Sequence, residues 1–86
     1  MPLICEFFGI KIYMYWQENN PPHFHAEYNG FRAEEDVNNS VILKGVLPFK
    51  QLKLVLAWCE LHKDELINNW NLAETHGMLV KINPLQ

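Results

Sequence analysis

The segment His23-Phe24-His25-Ala26-Glu27-Tyr28 concentrates the side chains of this chain that can do chemistry near neutral pH. Imidazole gains or loses its charge in that range, and imidazole and carboxylate are the common metal ligands and proton carriers. On a strand, alternate side chains share a face. His23, His25 and Glu27 then point one way, and Phe24, Ala26 and Tyr28 the other. Asn29-Gly30 follows at once; both residues tolerate the positive φ of a type I′ turn, the strongest short hairpin signal there is. A two-residue loop at that point predicts three facing pairs: Glu27 with Arg32, His25 with Glu34, and His23 with Asp36. Directly opposed side chains lie about 4.5–5.5 Å apart at Cβ.

Two chemistries fit such a face. One is a divalent metal held by His23, His25 and Asp36, or by Glu34 in place of Asp36. The other is acid–base catalysis by His23, His25 and Glu34 in a small enzyme, a metal-dependent nuclease being one form. The bland alternative is a solvated strand surface with cross-strand ion pairs, each contributing roughly 0.2–1 kcal/mol. An HxH spacing alone does not choose among them. Polar residues on a strand face seldom support a core, so these histidines are expected to matter to function more than to stability.

The remaining polar residues exclude several enzyme classes. There is no HExxH, hence no zincin helix, and the four glycines form no phosphate loop. Ser40, the only serine, has no glycine around it and cannot sit in a hydrolase elbow. His62 and Glu65 have the i,i+3 spacing of a helix-surface pair. His76, beside Gly77, reads as a helix-end residue favoured by the dipole.

The elements that must position the histidines follow from periodicity. Residues 3–8 form a short apolar run broken at Gly9, and residues 10–16 alternate, with Ile10, Ile12, Met14 and Trp16 on one face. Pro21 and Pro22 force an extended, non-sheet connection. Strands at 23–28, 31–37 and 41–46 are separated by Asn29-Gly30 and by the turn Asn38-Asn39-Ser40. From 48 to 75 the period becomes helical, with Pro48 suited to the first helical position and Gly77 to the residue past the end. An uninterrupted helix of that span would run on the order of 40 Å, so a break near residues 62–64 is expected. Residues 78–82 are apolar enough for a last strand. The fold class is therefore α+β: an antiparallel sheet of four or five strands, packed by one long kinked helix or two C-terminal helices.

The helical segment has more apolar surface than one sheet needs. Leu54, Trp58, Leu61 and Leu72 form a second stripe beside the first. It is either covered by a helix that folds back or offered to a partner chain, which could be a second copy in a homo-oligomer.

Composition narrows the setting. The 86 residues suit one domain, 1–86, and 49% apolar content fills a core without staples. A formal net charge of −3 disfavours non-specific nucleic-acid binding. Cys5 and Cys59 form no CxxC and read as reduced thiols. No stretch approaches a membrane span or a signal peptide, so a cytoplasmic location is expected.

Phe7-Phe8-Gly9-Ile10, the block Asn20-Pro21-Pro22-His23-Phe24-His25-Ala26-Glu27-Tyr28, the stretch 45–48, the helical Trp58, His62, Glu65-Leu66 and Trp70, and finally Lys81-Ile82 and Pro84-Leu85 together resemble the bacterial domain-of-unknown-function family 4160. The resemblance covers nearly the whole chain, with a mild departure at Glu34-Glu35, where relatives are often more apolar. It implies a small protein that works through a cognate partner, because genes of this family commonly lie beside a second small family of unknown function, DUF2442, in a toxin–antitoxin-like arrangement. On that footing the partner stripe would be Leu54, Trp58, Leu61 and Leu72, facing a small DUF2442-like protein.

Overall fold

Alternating side chains in the first half and a helical period in the second give five strands followed by two helices. The computed structural model describes residues 2–86. The elements are β1 (Leu3–Phe7), β2 (Ile10–Tyr13), β3 (His23–Tyr28), β4 (Phe31–Asp36), β5 (Val41–Gly45), α1 (Phe49–Leu61) and α2 (Lys63–Glu74). The strands make one antiparallel sheet in the order β1-β2-β3-β4-β5.

Asn29-Gly30 closes the β3–β4 hairpin with φ of 46° and 85°, as a type I′ turn requires. The register is the expected one: Glu27 opposite Arg32, His25 opposite Glu34, His23 opposite Asp36. Phe8-Gly9 closes β1–β2 in the same way, with φ of 50° and 79°. That turn is harder to read in the sequence, because Phe is not a turn residue.

The core lies between the sheet and the helices. Ile10, Ile12, Phe24, Ala26 and Ala33 meet Val55, Trp58, Cys59, Leu66 and Trp70. β2 stops at Tyr13, short of the expected residue 16, and Gln17 turns the chain with φ 55°. Trp16 consequently leaves the buried face; it is half-exposed and its indole donates to the Gly77 carbonyl at 3.2 Å.

The helical segment breaks at His62, where φ is −123° and ψ 25°. Hydrogen bonds still run through it, from His62 N to the Trp58 carbonyl at 3.1 Å and from Leu66 N to the His62 carbonyl at 2.9 Å. Pro48 is the N-cap rather than the first helical residue. At the far end His76, not Gly77, adopts the left-handed conformation, with φ 57°. The Gly77 N–H then reaches the Leu72 carbonyl at 2.6 Å and the His76 N–H the Ala73 carbonyl at 3.3 Å, a Schellman closure.

The expected last strand is corrected as well. Residues 78–82 are not a strand. The side-chain amide of Asn69 takes both polar groups of Val80, at 2.8 and 2.9 Å, leaving one backbone bond to β1, from Ile82 N to the Ile4 carbonyl at 2.9 Å. Of the two outcomes open to the second helical stripe, cover by its own chain holds for part of it. Trp58 is wholly buried, with its indole donating to the Asn83 carbonyl at 2.8 Å, and Leu54 and Leu72 are partly covered. Only Leu61 of the four stands in solvent; the tail reaches Trp58 through Asn83, and Leu54 packs against the core.

Candidate functional site

The sheet register builds one polar face in rows. Tyr13, His25, Glu34 and Lys44 align across β2 to β5, and Lys11, Glu27 and Arg32 across β2 to β4. The core-side row runs Phe24, Glu35, Ile42. Alternation therefore separates the histidines from the hydrophobic interior except at the start of β3, where His23 is buried and its ring lies 5.2 Å from that of Trp70 on α2. His23 is thus partly a packing residue, more structural than a solvated strand face would make it.

The loop 14–22 brings in a residue that the strand pattern does not reveal. Glu18 Oε1 lies 2.6 Å from His25 Nε2, and Glu18 Oε2 lies 3.4 Å from His23 Nε2. Glu34 Oε1 is 3.8 Å from His23 Nε2. Asp36, although opposite His23, spends its carboxylate elsewhere. It accepts from the backbone N–H of Asn38 at 2.9 Å and of Asn39 at 3.2 Å, and from Asn39 Nδ2 at 3.0 Å, closing the β4–β5 turn. The structure gathers His23, His25 and Glu18, keeps Glu34 at the rim and leaves Asp36 out. The signal for Glu18 was only its place just before two prolines that turn the chain back along β3.

The tautomer of His23 is fixed by its neighbour. Its Nδ1 lies 2.8 Å from the Pro21 carbonyl, which can only accept, so Nδ1 bears the hydrogen. In the neutral ring Nε2 carries the lone pair; it lies near the two glutamates and has no hydrogen-bond partner among the described residues. Tyr15 stands edge-on to His25, with ring centroids 4.4 Å apart. Burial, with the charges of Glu27 and others nearby, holds its phenol above its ordinary value, so it stays a proton donor at neutral pH.

Two grooves open onto the cluster. One of about 320 Å³ is lined by Tyr15, His25, Glu27, Arg32, Glu34 and Lys44 among others. The other, about 290 Å³, is lined by residues that include Glu18, Pro21, His23, Glu34 and Lys44. Glu34 and Lys44 form their common wall. The second histidine–carboxylate pair, His62 Nδ1 and Glu65 Oε1 at 2.5 Å, is the i,i+3 helix pair expected from its spacing and stands apart from this cluster.

Comparison with known proteins gives one positive result. The family model described as Domain of unknown function (DUF4160) matches residues 9–71, a span that includes β2 to β5, α1, the loop with Glu18 and both histidines. No curated protein and no solved structure matches significantly.

Proposed function

This chain belongs to the DUF4160 family, and we propose that it is the protein-binding component of a two-gene, toxin–antitoxin-like module whose other product is a small DUF2442-like protein. The observation that carries this reading is the asymmetry of the two sheet edges. The outer side of β1 is approached by the C-terminal tail through the Ile82–Ile4 bond. β5, at the other end, has β4 as its sole strand neighbour among the described residues. Val41, Leu43 and the following Val46 are 49%, 44% and 61% exposed.

An exposed apolar edge strand invites pairing, and proteins usually blunt one with several charges, proline or a cover. β5 has only Lys44. A strand added by a partner would pair with its outward backbone groups and cover Val41 and Leu43. The partner face thus moves from the helix stripe to β5, with Leu61 and Phe49 left as exposed apolar residues on α1. Co-purification of the chain with the product of its neighbouring gene tests this. The double substitution Val41→Lys, Leu43→Lys should abolish capture with the circular-dichroism spectrum unchanged; undiminished capture would sink the reading.

A second reading, a small His/carboxylate hydrolase, is favoured by the 2.6 Å contact that orients His25 against Glu18 beside open grooves. A nuclease assay in which the wild type cleaves and His25→Ala does not is its test.

A further inference from the structure

We propose that Glu18, His23 and His25 form a site for a divalent first-row transition metal, with Glu34 at its rim. The proposal is independent of docking on β5. It deepens the hydrolase reading, on whose cluster it rests, but it does not need the protein to be a catalyst.

The first support is a buried ring nitrogen without a partner. His23 is 6% exposed, and its Nε2 has no hydrogen-bond partner among the described residues. An unsatisfied polar atom in such a place costs about 1–3 kcal/mol, so it calls for an explanation. The Pro21 carbonyl holds the proton on Nδ1, which makes Nε2 the lone-pair side. A backbone carbonyl on the far nitrogen is the usual outer partner of a metal-bound histidine.

The second support is convergence. One ligand atom from each of Glu18, His23 and His25 lies within 4.8 Å of the other two. Metal–ligand bonds of about 2.0–2.2 Å at tetrahedral angles put ligand atoms roughly 3.4 Å apart. His23 Nε2 and Glu18 Oε2 are 3.4 Å apart. The shorter His25–Glu18 contact of 2.6 Å is held by a proton that a metal would displace.

The donor set chooses the metal class. Oxygen-only sites suit Mg²⁺ and Ca²⁺, whereas two imidazoles and one carboxylate suit Zn²⁺ and its first-row neighbours and leave open positions. The cluster borders the grooves that Glu34 and Lys44 divide: His25 lines one, Glu18 and His23 the other.

Calorimetry on the chelator-treated full chain, titrated separately with Zn²⁺ and Mn²⁺, tests the proposal. The expected result is one ion per chain, with Zn²⁺ bound more tightly than Mn²⁺. Glu18→Gln and His25→Asn should each weaken binding by more than about tenfold, the least that losing even an outer-shell partner costs. His62→Asn, which removes the separate helix pair, should leave it unchanged. Glu18 lies on a loop, so Glu18→Gln decides the matter even if His25→Asn folds poorly. Absence of binding by either metal at micromolar protein, or binding that Glu18→Gln leaves intact, overturns the proposal. Stoichiometric binding without nuclease activity upholds the site and removes the nuclease form of the hydrolase reading alone.

Discussion

Glu35 on β4 and Cys59 on α1 lie side by side where the sheet meets the helices, and both are buried. Burial pushes the Glu35 carboxyl up to about 7, with the neighbouring Cys59 thiol pulling the other way. Burial, then the charge of Glu35, pushes the Cys59 thiol up to about 12. A thiol so far from ionising is no nucleophile at neutral pH. Cys59 is therefore a core side chain, like the apolar residues around it.

Stability should fall as the pH rises from the acid range to neutrality. Glu35 holds its proton up to about pH 7 when folded, against an ordinary value of 4.5. Between those values the native state binds more protons than the unfolded one. The contribution is full below the lower value and lost as pH rises through the upper one, on the order of 3 kcal/mol in all. Glu35→Gln, neutral throughout, should flatten that slope. Urea midpoints for both proteins on either side of this range give the measurement, and parallel pH profiles would contradict it.

Asp36→Ala should destabilise without touching metal binding. Its carboxylate accepts three bonds from Asn38 and Asn39, all in the β4–β5 turn. Losing them should cost about 1–3 kcal/mol, read from denaturant midpoints. Zn²⁺ affinity should stay within about twofold, because Asp36 is not one of the three converging ligands. A large loss of affinity in a folded variant would restore Asp36 to the ligand set.

How far the site was legible follows from these same residues. The β3–β4 register depends on local turn chemistry and a period of two, so each facing pair could be written down in advance. Glu18 could not, because its position depends on how a nine-residue connection, 14–22, folds back, and no periodic pattern governs that. Asp36 misled because register fixes which residues are opposed, not which hydrogen bonds their carboxylates accept. Trp58 misled for a related reason. Helical spacing places it on a stripe, but only the path of the tail decides whether that stripe is covered.

Two glycines with positive φ should differ sharply when a methyl group is added. A Cβ at Gly30, φ 85°, meets nothing within 4 Å, so Gly30→Ala should cost only the left-handed penalty of about 1–2 kcal/mol. A Cβ at Gly45, φ 82°, would stand 2.2 Å from the Arg32 carbonyl oxygen, the acceptor of the Val46 N–H at 2.9 Å. Gly45→Ala should then cost clearly more, shifting the end of β5 as well as straining it. Thermal unfolding of the two variants side by side settles it, and equal losses would count against the close approach at β5.

The last prediction concerns the tail that separates one sheet edge from the other. Trp58 packs its ring 5.5 Å from Phe7 and 5.7 Å from Phe24, and its indole holds the Asn83 carbonyl at 2.8 Å. Trp58→Ala should cost about 3–5 kcal/mol, as a large aromatic removed from a core does. Leu61→Asp, at the exposed position three residues on, should stay within about 0.5 kcal/mol. Trp58→Phe is the informative middle case: it keeps most of the ring and deletes the hydrogen bond, for about 0.5–1.5 kcal/mol. If that bond anchors the tail, Trp58→Phe should speed hydrogen exchange at the Ile82 amide, the one backbone donor from the tail to β1. Exchange in the central strands should change only as far as global stability does. A tail amide that stays as protected as in the wild type would mean that Leu79, Ile82 and Leu85 hold the tail by packing alone, with Trp58 merely beneath it.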